Sequence, residues 1–344
     1  LQAAKTLWMK AIIPVAGIGS KLRPHTHTQP KALVPVAGKP ILVHIIDMLV
    51  SGGIKDYCFI IGYLGDKIES YITEYYQSQD LNIEFIIQEP REGIGHALWC
   101  AREAIRTQPE VLIMLGDTIL NLDIQQFLDT PNSVLGIKKV DTPGNFGVVE
   151  IDEDGLVQRV IEKPQIPKSN LALVGIYKLN NPKLFVDAIE RMMDQKIKTL
   201  GEYQLTDALM LLLEQGDTMT VHPVNNWYDC GKKESLLEAN AILLGGDEFM
   251  EIEQYNFANS IIIPPVSIAP NCDIQNSIIG PNVAIGESTV VKNSIIENSI
   301  VGSFSKLEVA VLNQSVIGSD TVLAGPSQSL NIGDNTEISF SSIE

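Results

Sequence analysis

The chain has 344 residues, 45% of them hydrophobic, and carries 25 Lys and Arg against 42 Asp and Glu, a formal charge of −17. That length predicts two domains, and that apolar content predicts a substantial core rather than disorder. The acidity argues against a nucleic-acid partner and against an anionic membrane surface, and no apolar run approaches the length of a membrane span.

Four cysteines, at 58, 100, 230 and 272, lie far apart and form no CxxC pair. The spacing predicts reduced thiols in a cytoplasmic protein and offers no zinc site. Residues 1–8, "LQAAKTLW", are read as an upstream extension, with Met9 as the expected native start. A signal peptide is rejected, because Lys10 and Pro14 interrupt the apolar run.

In chain order, "AIIPV" (11–15) reads as a short buried strand and "ILVHIIDMLVSGG" (41–53) as a helix with a glycine stop. "YCFII" (57–61), "IEFII" (83–87) and "VLIML" (111–115) read as further buried strands, and "HALWCAREAIRT" (96–107) as one helix between two of them. Strands alternating with helices predict an α/β fold, a doubly wound and mostly parallel sheet. From Val134 to Leu179 the pattern becomes "VLGIKKV", "FGVVEI", "LVQRVI" and "LALVGIY", separated by turn residues. An antiparallel insertion at one edge of the sheet is expected there.

Beyond about Leu244 the character changes. Residues 241–344 hold twelve acids, only Lys292 and Lys306 as cations, and no histidine. "NSII" recurs at 259, 276 and 293, "NSIV" at 298 and "QSVI" at 314, while Ile279, Ile285 and Val291 fall six apart. Six-residue steps nested in a 17-residue repeat predict a parallel β-helix of about four coils. Its aliphatic residues would point inward and its small polar residues turn the corners. A β-sandwich with chance self-similarity is the alternative. The expected domains are 9–244 and 245–344.

The segment from Ala16 to Pro40, "AGIGSKLRPHTHTQPKALVPVAGKP", has Lys21, Arg23, Lys31 and Lys39 and no acid, although the whole chain is acidic. It follows the first strand, where open α/β sheets bind ligands, and its glycines allow close backbone approach to a phosphate. It matches neither GxGxxG, since residue 22 is Leu22, nor a Walker loop, since no Gly-Lys-Ser/Thr occurs in the chain. Spaced cations without acids still suit a polyphosphate; an ordinary basic loop is the plain alternative.

"PVAGIGSKLRPHTHTQPKALVPVAGKP" resembles the signature of the sugar-1-phosphate nucleotidyltransferases, GxGTRLxPxTxxxPKxLxPVxxKP. "QEPREGIGHAL" (88–98) is similar to that family's base-recognition segment, and "LGDTIL" (115–120) to its metal-binding segment. "FGVVEIDEDGLVQRVIEKP" (146–164) is similar to its sugar-side stretch, and "GEYQLTDAL" (201–209) and "WYDCGK" (227–232) to its late segments. The resemblance covers residues 10–244 in order. Long-form members, including many glucose-1-phosphate thymidylyltransferases, append a usually left-handed β-helix.

The resemblance implies Mg²⁺-dependent attack of a sugar 1-phosphate on the α-phosphorus of a nucleoside triphosphate, releasing pyrophosphate. Ala16, Gly17, Gly19 and Ser20 would line the triphosphate. Lys21 would stabilise the transferring phosphoryl group, Lys31 hold the α-phosphate and Lys163 the sugar phosphate. Asp117 and Asp229, meeting across the cleft, would hold the metal. Gln88 and the Gly93 backbone would read the base, while Glu162, the Val174 and Gly175 backbone and nearby Gly147 would hold the sugar. Taken alone, each has a plain rival: Asp117 as a helix cap, Asp229 as a turn residue, Lys163 as a solvated lysine, Gln88 as a turn closure. His25 and His27 read as loop residues, and His96 as lying near the base at a helix start without acid–base work.

The leading substrates implied are dTTP and glucose 1-phosphate, with UTP close behind; UDP-glucose or GDP-mannose formation and transfer from ATP remain alternatives. Lys21 stands where the family usually has Arg, and Ser20 where it has Thr. A lysine keeps the charge but loses the bidentate fork, which leaves open a catalytically weak regulatory homologue. Hexapeptide coils also occur in acyltransferases, which commonly use a histidine base, but the last histidine here is His222. The coil region is therefore read as an oligomerisation or regulatory module of a homo-oligomer rather than as a second enzyme.

Overall fold

The computed structural model describes residues 9–246, 249–251 and 255–325. Residues 1–8 and the end of the coil region from 326 lie outside the described residues, so the reading of the N-terminal extension and of the last coil residues falls there. The chain divides into two units, Leu1–Gly246 and Asp247–Glu344.

In the first unit, strand β1 (Met9–Pro14) leads into the cationic segment and a small hairpin, β2 (Pro35–Val36) and β3 (Lys39–Pro40). There follow α1 (Ile41–Ser51), β4 (Asp56–Ile61), α2 (Gly65–Tyr75), β5 (Asn82–Ile87), α3 (Ile94–Cys100), α4 (Arg102–Arg106), β6 (Glu110–Met114), β7 (Thr118–Asn121) and α5 (Ile124–Leu128). Then come β8 (Ser133–Lys139), β9 (Gly147–Ile151), β10 (Val157–Glu162), β11 (Leu171–Leu179), α6 (Pro182–Asp194), α7 (Leu205–Glu214), β12 (Met219–Pro223), β13 (Asn226–Asp229) and α8 (Lys233–Leu243).

β6, β1, β4 and β5 pair in parallel. β1, β4 and β6 are mostly buried and read as apolar runs, as strands covered on both faces must. β5 departs from the expected buried strand: it lies at the sheet edge, none of its residues is fully buried, and Ile87 is 67% exposed. In β4, Cys58 and Ile60 enter the large core with Leu98, Phe185 and Leu212, while Tyr57 and Phe59 point the other way and Phe59 stacks on Phe85. The antiparallel part does lie to one side, and it joins directly: β11 bonds to β6 antiparallel and carries β8 and β9, with β10 at the edge. One strand departs from the expected pattern, since β12 adds to β8 in parallel.

The helix expected at 96–107 is two helices. At Ala101 ψ opens to 9°, and its N–H is shared between the carbonyls of Ala97 and Leu98 at 3.3 and 3.1 Å. That local tightening ends α3 before α4 begins.

Among its described residues the second unit winds through three parallel four-stranded sheets, the arrangement of a β-helix of four coils. Ile279, Ile285, Val291, Ile296 and Leu307 fill its interior. The repeated Asn sits at the corner: Asn259, Asn276 and Asn293 have φ near +50° and bond side chain to side chain along the stack. Asparagine tolerates this left-handed backbone better than most residues. The following Ser is inside: Ser277 and Ser294 donate to the carbonyl two residues back and accept the next coil's N–H. The first Ile of each "NSII" faces out and the second faces in, so only one aliphatic of the pair is core. "NSIV" at 298 belongs to a different face, where Asn298 stacks on Asn282 and Ile300 pairs with Val316. The register is 17 residues from Ile278 to Ile295 and 16 from Ile295 to Val311.

Candidate active site

Two cavities open at the carboxyl ends of the parallel strands. The first, about 560 Å³, is lined by Ala16, Gly17, Gly19, Ser20, Lys31, Gln88, Gly93 and Asp117. The second, about 220 Å³, is lined by Lys21, Asp117, Gly147, Glu162, Lys163, Val174, Gly175 and Asp229. The fifteen site residues expected from the sequence therefore separate into the nucleotide set and the sugar set, except that Lys21 reaches from the glycine loop into the second cavity. Ile94, Leu115 and Asp117 line both.

The first loop is made of short turns of 3₁₀-helix at Ser20–Leu22, His25–His27 and Lys31–Leu33. Gly19 has φ +67°, and a Cβ there would lie 2.9 Å from Lys31 Cβ and 3.1 Å from Thr26 Cγ2. Glycine is thus required both for the backbone and for the close approach. Thr26, fully buried between His25 and His27, donates its hydroxyl to the Gly19 carbonyl at 2.8 Å and pins the turn.

The wall of the first cavity that the sequence assigns to the base is laced to the late segment. Gly93, at φ +103°, leaves no room for a Cβ, which would lie 2.5 Å from the Tyr203 carbonyl. Buried Gln88 donates its amide to the Gly93 carbonyl at 2.9 Å and lies 3.2 Å from His96 Nδ1. Burial lowers the His96 pKa, so the ring stays neutral and Nδ1 accepts from the Gln88 amide. His96 sits in the first turn of α3, as expected, and its contact orients Gln88.

Asp117 and Asp229 come together through β7 and β13. The antiparallel register places Asp229 opposite Thr118, next in sequence to Asp117, and the Cys230 N–H donates to the Asp117 carbonyl at 3.2 Å. They are thus neighbours, Asp117 just before β7 and Asp229 at the end of β13. Asp117 is not unpaired: Lys31 Nζ lies 2.6 Å from its Oδ2. Asp229 faces the cleft, yet the cleft walls exclude enough water to push its carboxyl pKa up, and Asp117 adds to the shift; Lys31 and Lys21 oppose it. Two hard carboxylates that repel each other, with room for phosphate oxygens and water, fit Mg²⁺, which usually takes one or two carboxylates plus substrate phosphates.

In the second cavity Glu162 is largely buried and accepts from the Thr206 hydroxyl at 3.2 Å, while Lys163 is half-exposed, 3.6 Å from Glu162. Lys163 has φ +40°, an uncommon backbone for a long side chain and one that concentrates at binding sites. Sequence reasoning assigned no role to several further lining residues. "GEYQLTDAL" supplies Glu202 to the first cavity and Gln204 and Thr206 to the second, and "WYDCGK" supplies Trp227. Their signal was the resemblance of those segments as a whole.

The sequence profile of the nucleotidyl transferase family matches residues 10–245. The low-salt glycan biosynthesis nucleotidyltransferase Agl11 of Haloferax volcanii is 37% identical over 243 residues, 69% of this chain and 66% of that protein. The bifunctional protein GlmU of Methanococcus vannielii is 38% identical over 242 residues, 69% of this chain and 55% of its own length. The chain thus spans between half and two thirds of these curated relatives. A Bacillus anthracis crystal structure, provisionally assigned as a glucose-1-phosphate thymidylyltransferase and bound to sucrose, superposes with a TM-score of 0.60 at 27% identity, covering 72% of this chain and 97% of that one. With its two cavities meeting at one aspartate, and with that match over most of its length, the chain belongs to the nucleotidyl transferase family and is related to sugar nucleotidyltransferases.

Proposed function

We propose that the protein transfers a nucleotidyl group from dTTP, or from UTP, to glucose 1-phosphate, releasing pyrophosphate. The observation that carries this reading is the junction of a larger glycine-lined cavity with a smaller one at Asp117, with cations on both sides of it. In this reading the larger cavity takes the triphosphate and the smaller the sugar phosphate.

An oxygen of the sugar phosphate attacks the α-phosphorus in line. One P–O bond forms as the bond to the β-phosphate oxygen breaks, and the electron pair leaves with pyrophosphate. Catalysis of this kind rests on positioning and charge stabilisation. Gly17 and Gly19 give backbone access to the triphosphate, Lys21 meets the charge on the transferring group, and Lys163 holds the incoming phosphate. Gln88 and Gly93 contact the base; Glu162, Gly147, Val174 and Gly175 contact the sugar. Asp117 and Asp229 would hold Mg²⁺, which would neutralise phosphate charge. Lys31 holds the α-phosphate.

Residues 9–244 carry this chemistry in our reading, and the coils from 245 onward set a homo-oligomeric assembly in the cytoplasm. Among the described residues, no helix is long and apolar enough to cross a membrane. Lys21 in place of the family's Arg favours one second reading, a weakly active regulatory homologue. Pyrophosphate release across four triphosphates and several sugar 1-phosphates decides between them. Release that requires both substrates supports transfer, and silence across the whole grid supports the second reading.

A further inference from the structure

Arg91 lies in the wall of the first cavity, between Gln88 and Gly93. Its loop is fixed on both sides. Gln88 holds the Gly93 carbonyl, the Tyr203 N–H donates to the Glu92 carbonyl at 2.9 Å, and the Gly95 N–H donates to the Tyr203 carbonyl at 2.8 Å. The guanidinium carbon stands 5.9 Å from the centroid of the Tyr63 ring. Tyr63 in turn donates its hydroxyl to the His27 carbonyl at 3.1 Å, and Lys67 donates to the Thr28 carbonyl at 2.7 Å. Arg91 is therefore seated against a side chain tied to the cationic first loop at His27, in a wall of the cavity that the glycine stretch also lines.

Charge points the same way. Lys31 and Arg91 are the two cations lining this cavity, and Lys31 is engaged by Asp117. Lys21 and Lys163 line the other cavity. Among the described residues no ion pair holds Arg91; its contact is the Tyr63 ring. An arginine held by no ion pair keeps its donors for a ligand, and a guanidinium carries donors only, in a fork that matches phosphate oxygens. Resting on the nucleotidyl-transfer reading above, we infer that Arg91 binds the polyphosphate end of the triphosphate, the part that leaves as pyrophosphate.

The test uses the full chain and two inorganic probes, pyrophosphate and tripolyphosphate, titrated calorimetrically into the wild type, Arg91→Ala and Arg91→Lys. Losing a charge-assisted contact should weaken tripolyphosphate binding by roughly ten- to a hundredfold in Arg91→Ala. Arg91→Lys should recover part of it, keeping the charge without the fork. In the transfer assay, Arg91→Ala should raise the KM of every accepted triphosphate by a common factor and leave the KM of the sugar 1-phosphate unchanged. Tyr63→Ala, which removes the seat and spares the cation, should act in the same direction by roughly two- to fivefold. Circular dichroism confirms that each variant is folded. Unaltered tripolyphosphate binding in Arg91→Ala overturns the inference, and so does a KM change confined to one base, which would make Arg91 a base contact. A wild type that binds no tripolyphosphate overturns it as well. A wild type that binds the probe through Arg91 but transfers no nucleotidyl group refutes the proposed reaction and leaves the polyphosphate contact standing.

Discussion

Alanine at Gly17 and alanine at Gly19 should fail in opposite ways. At Gly19 the backbone is left-handed, with φ +67°, and the new Cβ would press on Lys31 Cβ at 2.9 Å and Thr26 Cγ2 at 3.1 Å. Left-handed strain on an L-residue costs about 1–2 kcal/mol and a crowded contact about 1–3, so a loss of roughly 2–5 kcal/mol is expected. For a unit of this size that lowers the melting temperature by roughly 4–20 °C. The shift also pulls the Gly19 carbonyl from Thr26. At Gly17 a Cβ meets nothing within 4 Å. Gly17→Ala should therefore melt at or slightly above the wild-type temperature, since restricting the unfolded chain gains about 0.4–1 kcal/mol. Its methyl group, however, occupies open space at the lining of the first cavity, where in the proposed reading the triphosphate approaches. The KM for the triphosphate should rise at least about tenfold, the scale of one lost contact of 1.4 kcal/mol. Thermal unfolding and steady-state kinetics on the same preparations decide it. Gly17→Ala with unchanged triphosphate KM, or Gly19→Ala with unchanged melting temperature, would refute the loop as a backbone site for phosphates.

Asp117→Ala and Asp229→Ala should each lower turnover a hundredfold or more, the effect of losing one electrostatic group of about 3 kcal/mol, measured as pyrophosphate release at saturating substrate. Asp117→Ala should also cost stability, because half-buried Lys31 loses its partner, whereas Asp229→Ala removes a carboxylate already disfavoured by its surroundings. Lys21→Ala should lower kcat more than it raises the triphosphate KM, and Lys21→Arg should preserve or raise activity; a silent Lys21→Ala beside a damaging Lys31→Ala would remove Lys21 from the transferring phosphate. Burial raises the pKa of Asp207, whose Oδ2 has no hydrogen-bond partner. The unfolded chain then ionises first, so this group's unfavourable contribution grows as pH rises above the ordinary aspartate value and is complete above the raised one. Asp207→Asn, keeping the Thr199 contact at Oδ1, should flatten that part of the melting-temperature profile and stabilise the protein at neutral pH. A chain ending at Leu244 should retain transfer per folded molecule but scatter light as a smaller oligomer than the full chain.

Much of this fold is visible in the sequence because its constraints are local. Strands buried on both faces must be apolar throughout, and "YCFII" and "VLIML" are. The coil repeat is legible because its Asn and Ser perform the same two tasks in successive coils. What escaped depends on distant pairing or on one backbone angle. The break at Ala101 is a single shared hydrogen bond within an otherwise helical pattern. The pairing of "TILN" with "NWYD" joins short segments about a hundred residues apart, and only that pairing makes Asp229 the neighbour of Asp117. The division of "NSII" and "NSIV" between faces follows from where the coil turns, which identical wording conceals. The site residues taken from the resemblance do converge on two adjoining cavities. Arg91, Thr26 and Glu202 were not singled out, since a cavity wall is set by loop placement rather than by residue type.

The central claim is that the nucleotidyl group passes between the two cavities, and the most direct measurement follows that group. A nucleoside triphosphate labelled at the α-phosphorus is incubated with the full-length protein, Mg²⁺ and a sugar 1-phosphate. The account predicts that label appears in the nucleotide-sugar in equal amount to the pyrophosphate released, and that neither forms without the sugar phosphate. Label found as free nucleoside monophosphate, or pyrophosphate released without an acceptor, would contradict it.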